Sequence, residues 1–302
     1  MDTKQLTDPD FLRKFRQTKK YRVKDKIIKI LVCWIFPKSL RKRCRRFLAW
    51  KFGIGIRPES FLEKIRYQKT QKKFIADFHR HKPFNYRIVS LGCDCLSRTI
   101  PTLWGVKPRS SEGEPSGPFD LSVNPLPGLL KNLKNDFNGF LEQMEYDPAI
   151  NYLTIPADGI KYFHEYDCGP DKGEKLRARF AKRIENIRYS LRYDTTPTLY
   201  ISHYSAKVCA TPPEETAKLY NDLYNFLKTT RGSRKFALLV VDFSKTVNPG
   251  KLARGIYAYT PDYLEADYVW HQDEFKFSAR GLKFELGLMQ TIVSVLNKLQ
   301  KN

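Results

Sequence analysis

Short apolar runs alternate with amphipathic stretches over most of the chain, and this alternation predicts the fold. Four runs have the length and composition of buried strands, at 87–91, 198–203, 236–242 and 266–271. Apolar residues at spacings of three and four predict helices at 94–104, 126–143, 172–192, 213–230 and 280–299. Two shorter strands are predicted at 152–155 and 160–163. Because helices and strands alternate and the run 236–241 has no polar face, we predict an α/β fold with a mostly parallel sheet flanked by helices.

The first 82 residues follow a different pattern, which predicts a basic helical N-terminal region. Its apolar run at 26–36 ends before Pro37 and is shorter than the roughly 20 residues that a membrane-spanning helix needs. Basic residues follow the run where a secretory signal would have a small-residue cleavage site. The pattern of residues 59–82 predicts a charged, mostly exposed helix. Pro83 marks the predicted boundary between this region, 1–82, and an α/β domain, 83–302.

The net charge of +22 is concentrated in the same N-terminal region. Residues 1–82 hold 25 Lys and Arg against 7 Asp and Glu, whereas residues 83–302 hold 29 against 25. This asymmetry indicates an anionic partner. Between residues 26 and 52, bulky apolar residues interleave with basic ones, as is typical of an element that lies on an anionic membrane surface. These residues are Ile27, Ile28, Ile30, Leu31, Trp34, Ile35, Leu40, Phe47, Leu48, Trp50 and Phe52.

Two other interpretations of this region stay open. The apolar residues could dock onto the α/β domain and leave a solvated basic face. Nucleic acid is the least favoured partner, because the aliphatic run has no role in contacting phosphates and no nucleic-acid motif accompanies it.

The cysteines show no even disulfide framework, and a chain of 302 residues does not need disulfides for stability. They are Cys33, Cys44, Cys93, Cys95, Cys168 and Cys209. We therefore expect reduced thiols in a cytoplasmic protein that is peripheral to the inner face of the membrane.

The stretch 87–95 predicts a strand, a glycine turn and the start of a helix. Ile88, Val89 and Leu91 have the character of a strand, and Gly92 ends it. Cys95 would then lie in the first turn of the helix, where the helix dipole favours a thiolate. The alternative is that Cys93 and Cys95 are small buried packing residues.

Further polar candidates lie at the carboxyl ends of the predicted strands, where parallel sheets bind ligands. His203, Asp242 and His271 each end such a strand, and His164 follows one of the shorter strands. A cysteine nucleophile needs a base and a group that orients the base. The sequence leaves open which histidine would be the base.

Cofactor chemistry has little support in the sequence. Cys93-Asp-Cys95 has no second Cys/His pair at a zinc spacing, so we predict no metal site. No phosphate-binding loop and no G-x-G-x-x-G motif is present, so we predict no bound cofactor.

Three ordered motifs resemble a bacterial family of unknown function described as papain-like cysteine peptidases. They are Ser90-Leu-Gly-x-x-Cys95, Pro118-Phe-Asp120, and Phe163-His164 ahead of a basic amphipathic helix. The resemblance covers roughly residues 86–275. It implies a nucleophile at Cys95, a catalytic histidine at His164 and a polar partner at Asp120. This chain departs from the pattern at His164-Glu-Tyr-Asp167, where His followed directly by Asp is expected, and at Leu121, where an aromatic residue is expected.

These observations favour a cysteine-nucleophile hydrolase or acyl transferase. The expected setting is bacterial envelope or surface-polysaccharide metabolism, with a small-molecule, glycan or peptide substrate. One alternative is a glycosyl- or phosphoryl-transfer enzyme in which Arg98, Lys107, Arg109 and His203 bind an anionic or lipid-linked substrate. Another is a non-enzymatic scaffold that binds a glycan or a partner protein.

Overall fold

The computed structural model describes residues 18–34, 38–52, 61–81, 85–147, 152–165, 173–204, 213–243, 245, 247–261 and 269–301. The chain divides into two compact units. The first is Met1–Lys72 with Tyr263–Phe284, and the second is Lys73–Asp262 with Glu285–Asn302. The predicted domain boundary at Pro83 lies outside the described residues.

The N-terminal region is helical, as its pattern predicts. Its helices are α1 (Lys19–Val32), α2 (Lys38–Lys51) and α3 (Phe61–Arg80). α1 packs on α2, and the Asp25 carboxylate accepts ion pairs from Lys29 and Arg45, each at 2.7 Å. Within the ranges given above, none of the helices combines the length and apolar character needed to cross a membrane.

The second unit is built on a four-stranded parallel sheet, which confirms the predicted α/β class. Its strands are β1 (Arg87–Ser90), β5 (Thr198–Tyr204), β6 (Phe236–Asp242) and β7 (Ile256–Tyr259), in the order β1-β5-β6-β7. All three neighbouring pairs are parallel. Every residue of β5 is buried, as is nearly all of β6, because helices cover both faces of such a sheet.

The two shorter predicted strands belong to a separate antiparallel sheet. This sheet consists of β2 (Glu145–Asp147), β3 (Tyr152–Ile155) and β4 (Ile160–Tyr162), in sequence order. A turn of 3-10 helix at Pro156–Asp158 connects β3 to β4. Phe163 and His164 follow directly after the end of β4.

The long amphipathic helices form where the apolar spacing predicts them, with one exception. They are α4 (Leu96–Leu103), α5 (Leu126–Lys134), α6 (Gly173–Arg192), α7 (Pro213–Arg231) and α9 (Ala279–Lys301), with a short α8 (Asp273–Lys276). The predicted helix 126–143 ends at Lys134 instead. Asp136, Phe137 and Gly139 have positive φ, which no α-helix tolerates, yet Phe137 and Phe140 remain in the core.

The fourth strand of the sheet is not the predicted one. Val269, Trp270 and His271 lie in a loop and turn, and the rest of 266–271 lies outside the described residues. β7 takes the edge of the sheet instead, although all its residues are only partly buried. A half-exposed edge strand lacks the continuous apolar run on which the prediction relied.

Gly92 turns the chain from β1 toward α4. Its φ is +73°, and a Cβ there would stand 2.9 Å from Nδ2 of Asn124 and 3.0 Å from its Cβ. Both the backbone conformation and the close approach of Asn124 require a residue without a side chain.

We expect Gly92→Ala to lower the free energy of unfolding by about 2 kcal/mol or more, from the strained backbone and the clash with Asn124. Gly113→Ala is the matched control, because Gly113 has φ +88° but no atom within 4 Å of the added Cβ. Gly113→Ala should lower the free energy of unfolding only by the contribution of the strained backbone. Urea unfolding of both variants gives the comparison, and equal losses would show that Asn124 imposes no constraint.

Candidate active site

The pairing of β1 with β5 continues past the end of β1 and places the candidate site. The N–H of Leu91 donates to the carbonyl of Ile201 at 2.8 Å, and the N–H of His203 donates to the carbonyl of Gly92 at 3.0 Å. The turn after Gly92 therefore starts beside His203. Cys95 follows as the N-cap residue of α4, with its carbonyl accepting from the N–H of Thr99 at 2.8 Å.

His164 reaches the thiol of Cys95 across 69 residues of chain. The distance from Cys95 Sγ to His164 Nε2 is 3.1 Å, within hydrogen-bond range. Cys95 is half-buried and His164 is exposed, so the pair is open to solvent on one side. A thiol hydrogen-bonded to an imidazole is the arrangement that nucleophilic cysteine chemistry requires.

Arginines of α6 hold the residue next to His164. Glu165 is 5% exposed, and its carboxylate accepts from Arg179 at 2.5 Å and from Arg183 at 2.7 Å. The Arg183 side chain is itself only 17% exposed, whereas Arg179 is 47% exposed. Holding the Glu165 side chain restrains the turn that carries His164.

Asp120 holds the helix that begins at Cys95, the partner of His164. Its carboxylate accepts from the Arg98 guanidinium at 2.5 Å and from the N–H of Gly117 at 2.9 Å, and both charged side chains are buried. Arg98 lies on α4, one turn after Cys95, and also donates to Ser110 at 2.7 Å. Burial raises the pKa of the Asp120 carboxyl, against the opposing charges of Lys107 and Arg98. The described contacts therefore give Asp120 a role in positioning α4.

The segment that follows Asp120 connects the elements that carry Cys95 and His164. Val123 exchanges two backbone hydrogen bonds with Lys161 of β4, at 2.8 and 3.0 Å. The N–H of Asn124 donates to the carbonyl of Cys93 at 3.0 Å. We name residues 117–124 the strap, because they touch the start of α4, the turn before it and β4.

A second acid–histidine pair lies beside the thiol. His203 Nδ1 is 3.1 Å from Asp94 Oδ1, and the same oxygen accepts from the N–H of Leu96 at 2.8 Å. His203 is 2% exposed, and its Nε2 has no hydrogen-bond partner among the described residues. A buried donor without a partner is costly, so Nδ1 is the ring nitrogen placed to donate a proton, and it donates to Asp94. The Asp94 carboxylate is next to Cys95 in the sequence.

The environment of Cys95 holds its thiol in the protonated form. Burial is the larger cause and the Asp94 carboxylate the second, and together they raise the thiol pKa to about 12. This outcome is opposite to the thiolate expected from the helix dipole. A thiol with this pKa reacts as a nucleophile only with the help of a base, and the His164 imidazole is in contact with it.

Two of the predicted candidates have other described contacts. Asp242 is fully buried at the end of β6, and its carboxylate accepts from the N–H of Val247 at 2.8 Å. His271 is exposed in the first unit, with its ring 5.3 Å from that of Trp270, whereas Cys95 and His164 belong to the second unit. The described contacts thus group Cys95 with His164 and Asp94 with His203.

The expectation of reduced thiols is wrong at one cysteine, Cys93. Cys93 is disulfide-bonded, while Cys33, Cys44 and Cys95 are free. Pairing depends on proximity in the fold, which cysteine spacing does not show. Of the two cysteines in the Cys-Asp-Cys run, only Cys95 therefore offers a thiol.

The remaining cofactor and anion candidates can be placed as well. Across the described ranges, no three His, Cys, Asp or Glu side chains are grouped so that they could hold a metal ion. Arg98 and Lys107, proposed above as anion-binding residues, are buried in ion pairs with Asp120 and Glu114, each at 2.5 Å. Lys107 also donates to the carbonyl of Ile88.

Sequence reasoning missed Asp94 and Glu165 as site residues. Each carboxylate is next in sequence to a candidate, Asp94 to Cys95 and Glu165 to His164. A carboxylate directly beside a candidate residue is the sequence signal that could have identified both.

We expect Asp120→Ala to lower the free energy of unfolding by about 3–5 kcal/mol, because it leaves the Arg98 charge buried without its carboxylate. Asp77→Ala is the control, since Asp77 also pairs with an arginine, Arg80, but is 51% exposed, and it should cost about 1 kcal/mol or less. Urea titration measures both. Similar losses from the two substitutions would contradict a positioning role for the buried pair.

We expect Asp94→Asn to lower the pKa of Cys95, because the negative charge of Asp94 disfavours the thiolate. Alkylation of Cys95 by iodoacetamide, followed against pH in a Cys33→Ser/Cys44→Ser chain, should then begin at lower pH. The exposed Asp77→Asn serves as control and should leave the profile in place. An unshifted profile for Asp94→Asn would show that its charge does not act on the thiol.

Comparison with known proteins returns no match: no protein-family model, no curated protein and no solved structure is similar to this chain. Its function is therefore argued from the geometry around Cys95.

Proposed function

We propose that the protein is a cysteine-nucleophile hydrolase or acyl transferase, with Cys95 as nucleophile and His164 as general base. The single observation that carries the proposal is the 3.1 Å distance between Cys95 Sγ and His164 Nε2. A free, half-buried thiol at the start of a helix and an exposed imidazole from a distant turn meet only because the fold brings them together.

The reaction follows from the protonation states. As Sγ of Cys95 attacks the carbonyl carbon of an ester, thioester or amide, its proton passes to Nε2 of His164. Collapse of the tetrahedral intermediate breaks the bond to the leaving group, which takes the proton from His164 and leaves a thioester on Cys95. Water, for a hydrolase, or an acceptor nucleophile, for a transferase, then loses a proton to His164 and attacks the thioester. The acyl group is released, and the proton returns to the thiol.

This mechanism differs from that of a preformed thiolate–imidazolium pair. Burial and Asp94 raise the pKa of Cys95 to about 12, so the neutral thiol is the resting form. Proton transfer then accompanies attack, and loss of His164 removes the base for the step. The motif resemblance to papain-like peptidases agrees with these roles, but here strand β1 of a parallel sheet leads into the helix of the nucleophile.

The transferase alternative that relied on an anionic donor has less support. It needs basic side chains free to contact phosphate, and two of its four residues, Arg98 and Lys107, are buried against carboxylates. A buried cation that already has an acidic partner has little attraction left for a ligand.

The test is acylation of the chain by p-nitrophenyl acetate, with the acetylated residue located by mass spectrometry. Cys33→Ser/Cys44→Ser is the parent, because both of these thiols are free. No reductant is added, so that Cys93 stays bonded. We expect hydroxylamine-sensitive acetylation at Cys95. It should be absent in Cys95→Ala and slower by about 100-fold or more in His164→Ala, as for the loss of a general base.

His81→Ala is the histidine control, since this exposed ring lies at the end of α3 and contacts only the carbonyl of Asp77 among its described hydrogen bonds. Its acylation rate should equal that of the parent. Unchanged acylation in His164→Ala would refute the base, and the absence of acetyl on Cys95 in the parent would refute the nucleophile.

A further inference from the structure

Helices α1 and α2 form a hairpin that is apolar on a face it does not use for packing. On α1, Ile28 and Val32 are buried at 0% and 3% exposure. A second set of apolar residues on α1 and just after it is exposed instead, at 42–73%: Val23, Ile27, Ile30, Leu31 and Trp34. Internal packing therefore accounts for only one of the two apolar faces.

The exposed set forms a continuous stripe along the helix. Its members are separated by four, three, one and three residues, which at roughly 100° per residue places them on one side, away from Ile28 and Val32. On α2, Leu40 and Phe47 are seven residues apart and both 47% exposed, so they too share a side. An exposed apolar surface of this extent marks a contact with a partner or a membrane.

Basic side chains border the stripe. Arg22, Lys26 and Lys29 are exposed and recur at spacings of four and three, so they form a parallel row on α1. Of the acidic residues, the two helices contain Asp25 alone, and it is engaged with Lys29 and Arg45. The thirteen Lys and Arg residues of α1 and α2 therefore give the hairpin a strong positive charge.

We propose that the α1–α2 hairpin lies on the surface of an anionic lipid bilayer, with the stripe in the interfacial region and the basic row against the headgroups. A partly inserted helix needs an apolar face flanked by cations, and this hairpin has both. Trp34, 73% exposed just after α1, is the residue type that settles at the water–lipid interface. The charge complementarity selects an anionic bilayer over a neutral apolar partner.

The proposal is independent of the chemistry at Cys95, because it rests on residues of the first unit alone. Its consequence for any enzymatic activity would be to raise the local concentration of membrane-bound substrates.

Sedimentation of the full chain with vesicles tests the proposal. We expect binding to vesicles of phosphatidylglycerol mixed with phosphatidylcholine, weak binding to phosphatidylcholine alone, and a loss of affinity with added salt. Ile27→Ser/Ile30→Ser/Leu31→Ser should reduce the affinity by about tenfold or more. Arg22→Gln/Lys26→Gln/Lys42→Gln should reduce it only for the anionic vesicles.

Tyr189→Ser/Tyr193→Ser is the matched control, because it removes exposed apolar side chains, 52% and 68% exposed, from the end of α6 and the turn after it in the second unit. It should bind as well as the unmodified chain. Circular dichroism confirms that each variant is folded, as expected for exposed substitutions.

The fluorescence of Trp34 reports directly on contact between the hairpin and the bilayer. Vesicles should shift the tryptophan emission to shorter wavelength, and Trp34→Phe should remove most of the shift while preserving binding. Full binding by the stripe variant would overturn the proposal. So would tighter binding to duplex DNA than to anionic vesicles, or concentration-dependent self-association through the stripe without vesicle binding.

Discussion

The parallel pairing of β1 with β5 is the constraint on which the candidate site depends. It continues two residues past the end of β1, through the hydrogen bond from the N–H of His203 to the carbonyl of Gly92. That bond fixes the point at which the chain leaves the sheet, and so sets Asp94 beside His203 and Cys95 at the start of α4. Shifting a parallel register by one residue would turn these side chains to the opposite face.

The strap provides the second constraint, because the thiol and the imidazole come from distant parts of the chain. It is anchored at Arg98 of α4, at Cys93 and at Lys161 of β4. The cost of burying Arg98 and Asp120 is offset by their mutual pairing and by hydrogen bonds to Ser110 and from the N–H of Gly117. Positioning thus relies on groups that take no part in the proposed chemistry, as is usual where reacting atoms must stay within hydrogen-bond range.

Burial and a neighbouring negative charge raise the pKa of the Cys95 thiol. The charge is that of the Asp94 carboxylate, and it disfavours the thiolate as the burial does. His164 is exposed, whereas His203 is buried and paired with Asp94. The two histidines therefore differ in their environment, and only His164 is open to solvent.

The sequence by itself determined the α/β class, most helices and strands, and the strand–turn–helix that carries Cys95, because these depend on local periodicity and on a glycine. It did not determine the half-exposed edge strand β7, the early end of α5 or the disulfide at Cys93. Above all, it left the choice among His164, His203 and His271 open. Only the tertiary structure brings His164 to 3.1 Å from Cys95, since that contact spans 69 residues and depends on strand register, the buried Arg98–Asp120 pair and the strap. No local pattern encodes such a distance, because it is set by packing between elements.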